Sequence, residues 1–550
     1  MLLVSHYDSL PTSMNANDGG LGVATALETV RALQAGPAPV NDIILWFGDA
    51  DETTAMNTRI LQRHPWFDDI RIGFAFEAIG LRGPSLLSYA GQGDADADAP
   101  ARTVGETEGL ALGNPQLTTD NGRWLREALE VVPHPVVALA LSDAAIGVSP
   151  DLGVAMLGSD LAGVSFSQIG DSSGYHTRLD NPDRVAPSSL QDAGDTSLAL
   201  TRHFAAFDFI DVEPAPQLIA FTVAPGWIVT YPASWALPLA LLAVMVVAAV
   251  IVVGRRRRQL TLPATAIGVV LAPVSVVVAA MLTMGVTGLL TPDVQFARNP
   301  YGAGWRMLLL AALALACVAG VYLLAGRLMK TTPRQTALAA GALVALGIVG
   351  VLIAWALPAL SYVFVWPTLA AAVLLGWMML RLDQASLPWA ATTGLAVVGA
   401  VVMVVVVPLV YLLASAASVA QPMFAALIAA VTALLAVALV PLFQHLTGNR
   451  AWMVPLVLMA AVVGFAGASL VAGGFDADQP RPNHIQYTLD ATPARRPGCR
   501  PRPAPTRGPT SSSPTNTRPV GRRSHPATSS ARPSTSSAPT PRPSTCRPRG

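Results

Sequence analysis

Residues 1–210 alternate two kinds of hydrophobic pattern. Leu2–Val4, Ile43–Phe47, Ile72–Phe76 and Val164–Phe166 are short, uninterrupted apolar runs, the signature of strands buried on both faces. Between the first two, Leu21, Ala24, Leu27, Val30 and Leu33 recur at three- to four-residue spacing and predict a helix with those residues as its inner stripe. Residues 188–207 predict a closing helix, and 211–233, with several prolines, a linker. Strand-like runs alternating with helical ones predict an α/β domain, a mixed sheet flanked by helices.

The pattern then changes scale. Eight apolar spans follow, 234–253, 263–290, 305–326, 336–358, 361–380, 389–414, 422–443 and 452–473, each meeting the ~20 residues a bilayer helix needs. They predict an all-α, polytopic membrane domain over 234–473. The basic residues are unevenly placed around these spans. Arg255 to Arg258 follow the first span, Arg327, Lys330 and Arg334 the third, Arg381 the fifth and Arg450 the seventh, while the other side has little beyond Arg298 and Arg306. Positive charge marks the cytoplasmic side. The expected topology therefore puts residues 1–210 and the short segment 474–490 outside the cytoplasm.

Composition agrees with a membrane protein: 52% of residues are hydrophobic and only 13% charged, against the roughly 25% charged usual in globular domains. A net charge of +1 argues against the concentrated basic surface that nucleic acids require, so the lipid bilayer is an expected partner and nucleic acid is not. Lys330 is the only lysine, a bias suggesting GC-rich coding and a bacterial plasma membrane. None of the three cysteines lies in the first domain, which excludes thiolate metal sites there. Residues 491–550 are almost entirely Pro, Arg, Ser, Thr, Ala and Gly. They cannot bury enough apolar surface to fold and read as a disordered tail or the product of a shifted reading frame.

The candidate chemistry lies in the first domain. His6 and Asp8 follow the first predicted strand, Asp18 precedes Gly19-Gly20 at the mouth of the first helix, Asp51 and Glu52 follow the second strand, Glu77 the third, and His176 sits in a Gly-Tyr-His-Thr turn. Open α/β sheets place their sites at such strand ends. Imidazole and carboxylate donors without thiolates suit zinc in an open, catalytic site. A paired-metal site needs a bridging carboxylate and a base beside the activated water, and both kinds of residue are present. Singly each is weak evidence, since Asp before Gly-Gly is usually a helix cap and Asp-Glu usually a solvated loop.

Their joint order carries more. The stretches SHYDSLPTSMNANDGGLGVATALETVRAL, ILWFGDADE, FAFEAIGLRGPSL and GYHTRLDNPDRVAPSSLQ resemble, in sequence, the motifs of peptidase family M28, the two-zinc aminopeptidase-type metallopeptidases. A peptidase domain followed by apolar spans that include SYVFVWP at 361–367 resembles the membrane-bound branch of that family, which includes fungal vacuolar membrane proteases. The resemblance implies peptide substrates and two zinc ions per chain, with His6 and Glu77 on one, Glu52 and His176 on the other, and Asp18 bridging both. It further implies Asp51 as general base and Asp8 as the carboxylate that orients the His6 imidazole.

The chain departs from the family pattern in two places. The family has Glu-Glu, usually after Asp-Gly, where this chain has Asp49-Ala50-Asp51-Glu52. Members of this branch also carry a span and further strands before the His-x-Asp motif, so the domain is expected to be N-terminally truncated. Three functions follow: a zinc exopeptidase of aminopeptidase type, a catalytically impaired peptidase-like membrane scaffold, and a glutaminyl-cyclase-like acyl-transfer enzyme. The pairing of His6 with Glu77 argues against the last.

Overall fold

A computed structural model of the chain describes residues 1–54, 60–78, 80–89, 121–137, 162–209, 218–224, 226–290, 301–329, 332–381, 388–416, 452–476 and 478–480. All of them lie in one unit, Met1–Asn483. The apolar run 422–443 and the tail 491–550 lie outside the described residues.

The N-terminal part is a six-stranded mixed sheet. Strands β1 (Leu2–His6), β2 (Ile44–Gly48), β3 (Ile72–Ala78), β4 (Arg82–Tyr89), β5 (Val136–Val137) and β6 (Ala162–Gly170) run in the order β2-β1-β3-β6-β4-β5. Strand β1 pairs in parallel with both β2 and β3, β3 pairs in parallel with β6, and β4 runs antiparallel to β6. The unbroken apolar runs follow from burial on both sides. Leu3, Ile72, Phe74 and Phe76 enter one core with Leu200 and Phe204, while Leu2, Val4 and Ala75 enter a second with Leu61 and Ile70.

Helix α1 (Gly20–Leu33) lies between β1 and β2, α2 (Asp51–Thr54) is a single turn after β2, α3 (Asn121–Val131) precedes β5, and α4 (Pro187–Ala205) closes the domain. The inner face of α1 differs from the expected stripe. Leu21, Gly22, Thr25, Ala26 and Thr29 are buried, whereas Ala24 is exposed and Leu27 is 53% exposed. The helix lies close on β1, β3 and α4, and close approach selects small side chains over the larger aliphatic ones that set the periodicity. Thr29 donates to Ser197 of α4 at 2.9 Å within this contact.

The expected linker over 211–233 also needs correction. Its described part is a hairpin of β7 (Leu218–Ala224) and β8 (Trp227–Pro232). Prolines flank this stretch, but LIAFTVA and WIVTY are β-branched and aromatic enough to form strands. Both faces of β7 are used: Leu218 and Ala220 join the core of the sheet domain, and Ile219 and Phe221 join the core of the helical part. Phe221 stacks on Tyr362 with ring centroids 4.1 Å apart.

The helical part comprises α5 (Ala236–Arg256), α6 (Leu262–Leu290), α7 (Ala303–Met329), α8 (Thr332–Ala356), α9 (Tyr362–Arg381), α10 (Pro388–Ala416) and α11 (Met453–Ala472). Six of the described helices are long and apolar enough to cross a membrane, and α10 contains a shorter apolar stretch, Thr393–Leu409. The chain is a multi-pass membrane protein. Among the described residues, helix α11 packs chiefly against α7.

Candidate metal centre

The carboxyl ends of the parallel strands deliver the first ligands. His6 is the last residue of β1 and Glu77 the penultimate residue of β3. The carboxylate of Asp18 arrives from the turn before α1, where Gly19 holds φ +76° and a Cβ would stand 2.5 Å from the His6 carbonyl oxygen. Only glycine fits that left-handed position so close to the imidazole.

Two donor groups result, His6–Asp18–Glu77 and Asp18–Glu52–His176, each with ligand atoms close enough to hold a metal ion. His6 Nε2 lies 3.5 Å from Asp18 Oδ1 and 3.3 Å from Glu77 Oε2. His176 Nε2 lies 3.2 Å from Asp18 Oδ2 and 2.8 Å from Glu52 Oε2. Asp18 thus offers one oxygen to each imidazole. Although so close, Asp18 Oδ2 and His176 Nε2 are buried and have no hydrogen-bond partner. Two buried polar atoms left without hydrogen bonds, side by side among carboxylates, fit a cation that would satisfy both.

Supporting contacts fix these donors. The Nδ1 of His6 faces two acceptors, the Asp8 carbonyl at 3.3 Å and the Asp8 carboxylate at 3.4 Å. The proton therefore belongs on Nδ1, which leaves Nε2 for a metal. The same Asp8 carboxylate accepts the backbone N–H groups of Asp51 and Glu52, both at 3.2 Å, and so ties the start of α2 to the His6 ring. Asp51 is buried and its charge acts on Glu77. The structure brings His6, Asp8, Asp18, Asp51, Glu52, Glu77 and His176 to one place.

Two further residues escaped the sequence reading. Asn15 donates from Nδ2 to Glu52 Oε1 at 2.7 Å and to the Asp8 carbonyl at 2.8 Å. The buried carboxylate of Asp180 accepts from the Asn17 and Asp18 backbone N–H groups at 2.8 and 3.1 Å, holding the bridging residue from behind. Both lie within stretches that resemble the family motifs. Only the polar run Asn15-Ala16-Asn17 hinted at them, and it reads equally as a solvated turn.

Electrostatics reinforces the geometry. Burial disfavours the charged form of His176, but Asp18 and Glu52 outweigh it and raise its pKa to about 9. For His6, burial is likewise outweighed by Asp18 and Glu77, and its pKa is raised. Burial opposes the charge of Asp18 too, yet His176 and His6 hold its pKa below the usual value. Glu77 is pushed up, by burial first and by Asp18 and Asp51 in addition, against the pull of His6. Without metal, protons on the two imidazoles supply the balancing positive charge.

Two His/carboxylate groups that could hold metal ions thus lie around the strand ends of a mixed sheet that is joined to helices apolar and long enough to cross a membrane. Residues 1–201 match the model of Peptidase family M28. The chain is 26% identical over 210 residues to endoplasmic reticulum metallopeptidase 1 of Mus musculus, covering 37% of this chain and 20% of that protein. It is 24% identical over 237 residues to the Homo sapiens protein of the same name, covering 41% and 23%. With the vacuolar membrane protease of Schizosaccharomyces japonicus it shares 37% identity over 87 residues, 16% of this chain and 10% of that one. The matches to the metallopeptidases thus span about a fifth of those relatives' length. No solved structure matches the chain.

Two outcomes test this account of the site. Because the folded-state pKa of His176 is raised, its pairing stabilises the metal-free protein fully below its ordinary value of 6.5 and is lost as pH rises toward about 9. Thermal midpoints of the metal-free protein should fall across that window, and saturating divalent metal should remove the fall by replacing the proton. Ala50 sits at φ +62° just before Asp51, a left-handed position that costs a side chain about 1–2 kcal/mol. Ala50→Gly should therefore raise stability by about 1 kcal/mol, read as an upward shift in the unfolding midpoint.

Proposed function

We propose that this chain is a membrane-anchored, zinc-dependent exopeptidase of aminopeptidase type that holds two zinc ions and cleaves peptide bonds near a free N-terminus. The observation that carries the reading is Asp18, which offers one oxygen to each donor group. In this assignment His6, Asp18 and Glu77 hold one ion, and Asp18, Glu52 and His176 the other. When bound, the ions supply Lewis acidity and a water acidified toward neutral pH. Asp51 removes the proton of the attacking water and returns it to the leaving amine. Asp8 sets the distance between this base and the site, because one carboxylate touches the His6 ring and the backbone of Asp51 together. Three ligand carboxylates against two divalent ions leave a small positive excess, which suits the oxyanion that develops on the scissile carbonyl.

The second reading, a catalytically impaired scaffold that binds peptides, is favoured by Asp51, one methylene shorter than the family's Glu. Asp51→Asn should abolish turnover of aminoacyl substrates and leave zinc content unchanged, since Asp51 lies outside both donor groups. Asp51→Glu should raise the rate, and Glu52→Gln should lower metal occupancy. Full activity in Asp51→Asn would remove the base assignment. Zinc binding without hydrolysis in both the parent and Asp51→Glu would put the scaffold first.

We place the peptidase domain on the extracytoplasmic face of a bacterial plasma membrane. Helix α5 leaves the hairpin and its 21 residues span about 31 Å, which carries Arg255 to Arg258 to the far end of the span. There Arg257 donates to the carbonyls of Met379 and Leu380 at 3.3 and 3.2 Å. In a chain whose three native cysteines are replaced by serine, a cysteine introduced at Arg256 should resist an impermeant maleimide in intact cells and react after lysis. Reaction from outside would reverse the orientation.

A further inference from the structure

The segment bearing His176 has little regular structure of its own. Between β6 and α4 it contains only two short 3-10 turns, Ser172–Gly174 and Pro182–Arg184. Asp171 and His176 both adopt positive φ, +57° and +59°, backbone states that surrounding contacts must hold in place. Part of that hold comes from the peptidase domain: Thr12 donates to the His176 carbonyl at 3.1 Å, and Asp180 grips Asn17 and Asp18.

The rest comes from the membrane half of the chain. Tyr301, just before α7, is buried with Leu81 and Leu179 in a small cluster of its own. Leu81 presses against Gly174, where a Cβ would meet its side chain at 2.4 Å, and Gly174 lies two residues before His176. Leu179 lies three residues after His176 and next to Asp180. The tyrosine thus shares one buried cluster with supports on both sides of the ligand. The ring is itself held by the segment after α11: its hydroxyl donates to the Pro480 carbonyl at 3.1 Å, and Phe475 meets it edge-on, with centroids 6.3 Å apart. Ser469 of α11 donates to the Gly302 carbonyl at 3.4 Å. Arg184, at the end of the same loop, donates to Asp478 at 2.9 Å, an exposed pair that adds little by itself.

We propose that Tyr301, held between α7 and α11, is a positioning residue for the Asp18–Glu52–His176 donor group, so that the membrane domain sets the affinity of one of the two metals. The proposal rests on the two-metal reading. A change in the packing of α11 against α7 would reach the ligand loop through this ring. The two groups share Asp18, but His6 and Glu77 come from β1 and β3 and lie outside this path, so the effect falls first on the His176 group.

Cobalt(II) titration of the full chain in lipid nanodiscs, followed by visible absorption, tests it. The parent should bind two equivalents, and His176→Ala should identify the phase that belongs to its group. Tyr301→Ala should weaken that phase most, by about 10- to 100-fold, the range seen when supports of metal ligands are removed. Tyr301→Phe, which keeps the ring, should stay within about twofold of the parent. Phe475→Ala, on a half-exposed ring, loosens the same contact without opening the core, and should weaken the same phase severalfold even if Tyr301→Ala does not fold. A purely structural tyrosine would lower the thermal midpoint and leave both phases and the cobalt spectrum unchanged. Parent-like affinity for both metals in Phe475→Ala and in any folded Tyr301→Ala would overturn the proposal. A parent that binds fewer than two equivalents would overturn the two-metal reading instead.

Discussion

Asp18 and Glu77 are buried against the same imidazole, with Glu52, Asp8 and Asp51 close around them. Carboxylates so near one another, away from water, cannot all stay ionised without positive charge among them. Protons on His6 and His176 provide it in the metal-free protein, and the donor arrangement suits a cation in their place. The rest of the domain serves this concentration of charge. Strands β1 and β3 run parallel, so His6 and Glu77 emerge from neighbouring strand ends. Gly19 allows the Asp18 turn to press on His6. Asp180 satisfies the N–H groups of that turn, and Asp8 those of the α2 start. Each support is a hydrogen bond to a group that burial would otherwise leave unpaired.

The sequence disclosed what is local. Apolar runs located β1, β2, β3 and the centre of β6, because a strand covered on both faces has no polar position to interrupt it. His6, Asp8, Asp51, Glu52 and Glu77 stood out because each follows such a run, and Asp18 and His176 because they sit in glycine-bearing turns. Structure that depends on distant partners was not legible. Asn15 and Asp180 act through bonds to residues 37 and about 163 positions away, which no local pattern encodes. The face of α1 was misread because the periodicity of large aliphatics was followed, while contact with the sheet selected Gly22, Thr25 and Ala26. The hairpin at 218–232 was hidden because flanking prolines outweighed its β-branched core.

Backbone strain gathers at the same place. Among the described residues, the non-glycine positions with positive φ are Asn15, Ala50, Asp171, His176 and Arg258, and all but Arg258 lie in loops that carry or support donors. Such conformations persist where surrounding contacts over-determine them. Ala50 shows the cost of departing from the family pattern, since the usual glycine would adopt φ +62° freely. The backbone keeps the left-handed turn regardless. It has to, because that turn aims the Asp51 and Glu52 N–H groups at Asp8. The conformation is set by the site, and the residue at position 50 bears the strain.

The relation between the two halves follows from the alternation of β7. A strand can serve two cores only if its period of two matches a boundary on each side, and Leu218 and Ala220 against Ile219 and Phe221 meet that condition. The hairpin therefore joins the sheet to α9 through packing on both faces, which a flexible tether could not do. Tyr301 makes a second junction, where the loop carrying His176 meets the ends of α7 and α11. Two separated junctions restrain rotation as well as separation, since a single one would leave a pivot. The spanning helices hold almost no ionisable side chains, and their sequence suggests only an anchor. Their bearing on the site lies at their ends, in aromatic residues whose partners are in the other half of the chain.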